Sequence, residues 1–121
     1  MGKFFARVGD GLTLYVKHVA WLHARPRIKS GKTDKPGDRS RDEQMRAAGQ
    51  TPSLPPLLAG EHVIGHLFDA GPVLHTGMGP VPLSWSELAT WQTVTGIELT
   101  PWEAQTVRRL SAEYVTTQQA A

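Results

Sequence analysis

Ser84-Trp85-Ser86-Glu87 and Thr100-Pro101-Trp102-Glu103 carry one helix-start signal twice within twenty residues. Each puts a hydroxyl at the N-cap and a Glu three positions later, so that side chains and backbone satisfy groups the first turn leaves unpaired. The second adds Pro101 at the first helical position, where no N–H is required. Gly96 stands between them, placed to end the first helix in a left-handed cap that only glycine adopts without a Cβ penalty. Two helices follow, over about residues 85–95 and 101–117. Trp85, Leu88 and Trp91 share a face of the first, and Val107, Leu110 and Tyr114 share a face of the second.

Upstream of this pair, residues 71–83 hold Gly71, Gly77, Gly79, Pro72, Pro80 and Pro82 and read as a loop. Before the loop, residues 57–70 place Leu57, Val63, Ile64, Leu67 and Phe68 on one side of a helix and His62, His66 and Asp69 on the other. Three short helices with one apolar stripe each must pack on one another or on a partner.

Further back the composition changes. Residues 25–56 are basic, rich in Gly, Pro, Ser, Asp and Lys, and poor in large apolar side chains, so they read as a linker that cannot offset its own ordering entropy. Residues 41–48 contain good helix formers and allow a turn or two. Leu12, Tyr15, Val16, Val19 and Leu22 recur at helical spacing, with Asp10 as a possible cap, so residues 1–24 read as a short amphipathic helix or a disordered leader. The expected architecture is all-α. It is a three-helix unit over residues 57–118, preceded by a short helix and a basic, largely disordered linker, with ordered structure that stands alone from about Leu57.

Charge divides the same way. Residues 1–50 carry a net +6 and residues 51–121 a net −4, which leaves the formal +2 of the whole chain. The second half is on charge alone a poor binder of polyanions. With no cysteine, disulfides, thiolate nucleophiles and cysteine-ligated metals are excluded. The longest apolar stretch, residues 12–22, is broken by Lys17 and His18 and reaches about half of the ~20 residues a membrane span needs. Around His23-Ala24-Arg25-Pro26 there is no small-residue cleavage site of the secretory kind, so a cytoplasmic protein with no membrane contact is expected.

Residues that carry chemistry elsewhere have plainer readings here. His62 and His66 stand at the i, i+4 spacing of two metal ligands, but Glu61 precedes the pair and no third ligand is near, so a solvated face is the better account. His18, His23 and His75 are isolated. Ser84 and Thr100 are caps and not activated nucleophiles. Among Asp69, Glu87, Glu98, Glu103 and Glu113 no carboxylate pair is evident, and Gly77-Met78-Gly79-Pro80 matches no phosphate-loop pattern. No catalytic residue, metal site or cofactor is expected.

A DNA-reading helix-turn-helix over residues 84–110 is disfavoured by its loose turn and by Glu103 where bases would be read, and Arg108 and Arg109 are expected on a solvated face. The basic residues 29–46 lack interleaved aromatics for stacking on bases. Three of the four tryptophans lie beyond Leu83, more large rings than a small core absorbs. Trp91 is expected to pack with Leu88. Trp102, off the stripe of its own helix, and Trp85 are expected to form a partner-binding surface.

Leu54-Pro55-Pro56-Leu57, the helix ending in Phe68, the loop from Gly77-Met78-Gly79-Pro80 to Pro82-Leu83-Ser84, Trp91, Thr95-Gly96, Leu99, Glu103, Leu110 and Tyr114 together resemble small tail assembly chaperones of long-tailed bacteriophages and prophages, encoded beside the tape-measure protein. The likeness covers residues 54–114, about half the chain. It implies a non-enzymatic role, binding the tape-measure or another tail protein during tail assembly in the host cytoplasm. The second reading is a small nucleic-acid-binding accessory protein that uses the basic first half.

Overall fold

Both hydroxyl caps form. Ser84 Oγ accepts from Glu87 N at 3.1 Å and Thr100 Oγ1 from Glu103 N at 3.2 Å. At Thr100 the box closes in both directions, since Glu103 Oε1 accepts from Thr100 N at 2.8 Å. Gly96 ends the intervening helix at φ 73°, left-handed as its position demands.

The computed structural model describes residues 2–30, 33–36 and 39–121. In chain order these form α1 (Gly2–His23), β1 (Arg27–Ser30), β2 (Thr33–Pro36), α2 (Arg41–Ala47), α3 (Glu61–Ala70), β3 (Leu74–Thr76), β4 (Gly79–Val81), α4 (Trp85–Thr95) and α5 (Pro101–Ala120). The fold is all-α, with two small antiparallel ladders, β1 on β2 and β3 on β4.

Helix α1 starts far earlier than Asp10, which is an exposed residue within it and not its cap. Val8, Leu12, Val16, Val19 and Ala20 form one buried stripe, and that burial outweighs the roughly 1 kcal/mol per glycine that Gly9 and Gly11 cost a helix interior. The stripe joins Val63 and Leu67 of α3, Leu83, Leu88 of α4, and Val107, Leu110 and Tyr114 of α5 in one apolar cluster. Residues from Leu57 onward thus share their core with α1, which supplies one wall of it.

Contacts between α1 and α5 advance together along both helices. Phe5 meets Trp102 with ring centroids 5.2 Å apart, Lys17 Nζ reaches Glu113 Oε2 at 3.5 Å, and His23 Nδ1 lies 3.1 Å from the Tyr114 hydroxyl. The two run parallel. Helix α3 follows the same direction: Gly60 lies against Val8 and Leu12, while Phe68 meets His23 and Tyr114. Parallel helices need a connection that returns the chain along their length, about 33 Å for the 22 residues of α1. Residues 24–60 make that return from α1 to α3. From α3 to α5 the β3–β4 hairpin and α4 make it, and Gln92 near the end of α4 accepts from Leu99 N at 2.9 Å, just before α5 begins.

Two connecting stretches hold more structure than their composition announces. In the stretch expected to be a linker, Arg41 donates to Trp21 O at 3.0 Å and lies 4.6 Å from the Trp21 ring centroid, and its N–H bonds to Ala24 O. Helix α2 is thereby docked on α1; residues 31, 32, 37 and 38 of the same stretch lie outside the described residues. The Gly- and Pro-rich loop contains the β3–β4 hairpin, whose base is tied to α5 by Ser111. Ser111 Oγ is fully buried, donates to Pro72 O at 2.7 Å and accepts from Leu83 N at 2.8 Å.

The helix read over residues 57–70 begins at Glu61, with Gly60 at its N-cap in the left-handed region at φ 88°. The left-handed backbone strains any side chain there, and a Cβ on Gly60 would also stand only 3.0 Å from Leu12 Cδ1, which would have to give way. Val63 and Leu67 face the core and His62 faces out, as the periodicity requires.

Candidate partner-binding surface

The four tryptophans divide by environment. Trp91 lies half-buried against the core beside Leu88, and its Nε1 donates to Asp69 Oδ2 at 2.7 Å. Trp102 is half-buried too: Phe5 of α1 covers it, and it packs on the core at the seam of α1 and α5. That limits what Trp102 can offer a partner. The reason lies outside α5, because a second apolar face of that helix becomes buried only once α1 is laid along it.

Trp85 is different. At the first position of α4 it stays 52% exposed, and its ring carries the Arg108 guanidinium 4.5 Å from the centroid. Arg108 Nε also donates to Leu83 O at 3.2 Å. Held by one hydrogen bond and one cation–π contact, the guanidinium and the indole form a preset pair and not two independent surface side chains. Beside them Gln105, Arg108, Arg109 and Ala112 follow one another at i, i+3, i+4 and i+7 along the outer side of α5. With Pro82 and Trp85 as a wall, they enclose a groove of about 390 Å³.

A second aromatic group lies at the start of α1. Phe4 and Phe5 meet edge to face at 5.7 Å, and both are exposed. Trp21 is exposed as well and is stacked by Arg41.

The titratable groups meet partners that sequence spacing does not reveal. His62 Nε2 lies 2.8 Å from Glu103 Oε2, across 41 residues of sequence. His66 faces Trp91 at 5.3 Å between ring centroids, and the two imidazoles are 5.9 Å apart. Glu103 is thus the residue that joins the capping box of α5 to α3. Its carboxyl is held below the usual glutamate range, chiefly by the Thr100 backbone N–H; burial opposes this, and the Thr100 hydroxyl and His62 reinforce it. Among the described residues, no three or more His, Cys, Asp or Glu side chains gather as metal ligands would.

His23 is not isolated. Its Nδ1 pairs with the Tyr114 hydroxyl, which also accepts from Gln118 Nε2 at 3.2 Å, and burial raises the Tyr114 pKa. Next to this pair a cleft of about 310 Å³ opens between Tyr15, Val19 and Leu22 of α1, Ile64 and Phe68 of α3, and the stretch containing Pro52 and Leu54, with the Asp42–Arg46 ion pair at its side. His23, Asp42 and Arg46 are the polar groups of an otherwise mostly apolar lining.

Sequence reading put Trp85 on the candidate surface and set Arg108 and Arg109 aside as a solvated face. The available signal was their rarity, since they are the only Lys or Arg between residues 51 and 121. No helix of the described residues is long and apolar enough to cross a membrane. No family model, curated protein or solved structure matches the chain.

Proposed function

We propose that the chain is a non-enzymatic, protein-binding helical domain that acts in phage tail assembly in the host cytoplasm, where it holds a tape-measure or related tail protein before it is packed into the tube. The observation that carries the binding part is Trp85, half exposed yet fixed in orientation by Arg108. A large ring already held in place loses little entropy on burial, and Trp and Arg are the residue types that dominate binding hot spots. The choice of a tail protein rests on the likeness of residues 54–114 to tail assembly chaperones.

The nucleic-acid reading draws on the basic first half. Arg41 of that half is engaged by Trp21 and Arg46 by Asp42, which reduces the positive charge the stretch can turn outward.

Co-expression with a phage tape-measure protein tests the proposal. The expected result is a larger soluble fraction of the tape-measure protein, copurification of the two, and loss of both with Trp85→Ala. Insoluble tape-measure protein in the presence of the wild-type chain, or retardation of duplex DNA at physiological salt that disappears on deleting residues 29–46, overturns it.

A further inference from the structure

We infer that the cleft between α1 and α3 binds a small carboxylic acid with an apolar body, and that His23, Arg46 and Tyr15 supply the donors for its carboxylate. This goes beyond the protein-binding reading and does not depend on it. The cleft, about 310 Å³, is lined on its apolar side by Val19, Leu22, Ile64, Phe68, Pro52 and Leu54. That volume lies at the lower end of the roughly 300–1,000 Å³ of small-molecule sites, which limits the occupant to one ring or a chain of similar bulk.

A chain of hydrogen bonds beside the cleft selects the head group. Gln118 Nε2 donates to the Tyr114 hydroxyl, which lies 3.1 Å from His23 Nδ1. Among the described residues that hydroxyl meets no other acceptor, so its proton goes to Nδ1. Burial raises the Tyr114 pKa and so favours the proton-bearing phenol. The neutral His23 ring then carries its own hydrogen on Nε2, a donor that no described residue accepts. Arg46 gives Nε to both Asp42 oxygens, at 3.2 Å each, and its terminal amino groups stay free among the described residues. The Tyr15 hydroxyl on the same lining has no partner among them either. The cleft therefore offers donors, while its one carboxylate is already engaged. A carboxylate answers those donors; an amine would meet only Asp42, which Arg46 holds. A doubly charged phosphate is matched less well, because the single arginine is already neutralised by Asp42.

Titration of the full chain with phenylpropanoate and with hexanoate, followed by methyl NMR, tests this. Shifts are expected at Val19, Leu22 and Ile64. The corresponding alcohols and amides should bind about 10-fold more weakly or worse, the scale of a hydrogen bond to a charged group. His23→Phe and Arg46→Gln should each remove most of the acid's advantage over its alcohol, with an unchanged helical circular dichroism spectrum. In the nitrogen spectrum of the wild-type ring, the proton should sit on Nε2 and move towards an even tautomer mixture in Tyr114→Phe.

Absence of shifts at those methyls with either acid overturns the inference. So does an acid that binds no more tightly than its alcohol, or an affinity indifferent to both His23→Phe and Arg46→Gln. The same chemistry has two sources, and competition separates them: a short peptide with a free C-terminal Leu or Phe that displaces the acids assigns the site to a chain end, and acids that outlast every such peptide assign it to a free metabolite.

Discussion

Two side chains, Ser111 and Glu103, each join elements that are distant in sequence. Ser111 Oγ serves both ends of the hairpin segment at once, through Pro72 O and Leu83 N, from a fully buried position on α5. Removing it leaves a buried donor and a buried acceptor unmatched, so Ser111→Ala should cost about 1–3 kcal/mol in denaturant unfolding. Ser86→Ala, on the exposed side of α4, should stay within ~0.5 kcal/mol. Glu103 acts through its charge. Its pKa is lowered in the folded state, so the carboxylate adds stability that is present above the unfolded glutamate value, ~4.3, and is lost as pH falls through the folded value. Glu103→Gln should therefore flatten the stability profile below about pH 4.3, the ordinary glutamate value. A variant as steeply acid-sensitive as the wild type would show that other carboxylates carry the slope. Both residues illustrate what local sequence conceals. The capping role of Glu103 is written three residues away in Thr100, whereas its contact with His62 and the two bonds of Ser111 arise only when distant segments meet.

At the scale of elements, helices α4 and α5 are legible because their starts are encoded by hydroxyl, Pro and Glu at fixed offsets, and the end of α4 by Gly96. The buried face of α3 is legible for a related reason, since a periodic stripe states which side will be covered. It does not state what covers it. That gap accounts for α1, whose own stripe shows a helix but whose partner, α5, lies some ninety residues on; it accounts for Trp102 as well, which Phe5 of α1 covers. The β3–β4 hairpin is concealed differently, because strands of three residues set among Gly and Pro are too short to show an alternating pattern. Since α1 closes the core, Leu12→Ala should cost about 2–5 kcal/mol, as much as Leu110→Ala. A chain beginning at Thr51 should lose cooperative thermal unfolding. Full retention of the melting transition by that shortened chain would return α1 to the status of an appendage. Trp102→Ala should lower stability by opening the seam between α1 and α5, whereas Trp85→Ala, at an exposed site, should leave the melt nearly unchanged. Equal losses from the two would contradict this division.

For the molecule as a whole, three parallel helices are joined by long returns, and the second of these packs back onto the core through Leu83 and Leu88 of α4. The arrangement turns the wide buried face of α5 inward and leaves its opposite stripe, from Gln105 to Ala112, facing out beside Trp85. A surface is thus defined by what the core does not use, and the net negative charge of residues 51–121 makes Arg108, held over Trp85, a local exception on it. Whether that surface meets a partner is read most directly by hydroxyl-radical footprinting of tryptophan side chains, free and in complex with the captured tail protein. The account expects Trp85 to be oxidised readily in the free chain and strongly protected in the complex, with Trp91 and Trp102 little changed. Protection of Trp102 while Trp85 stays as reactive as before would contradict it.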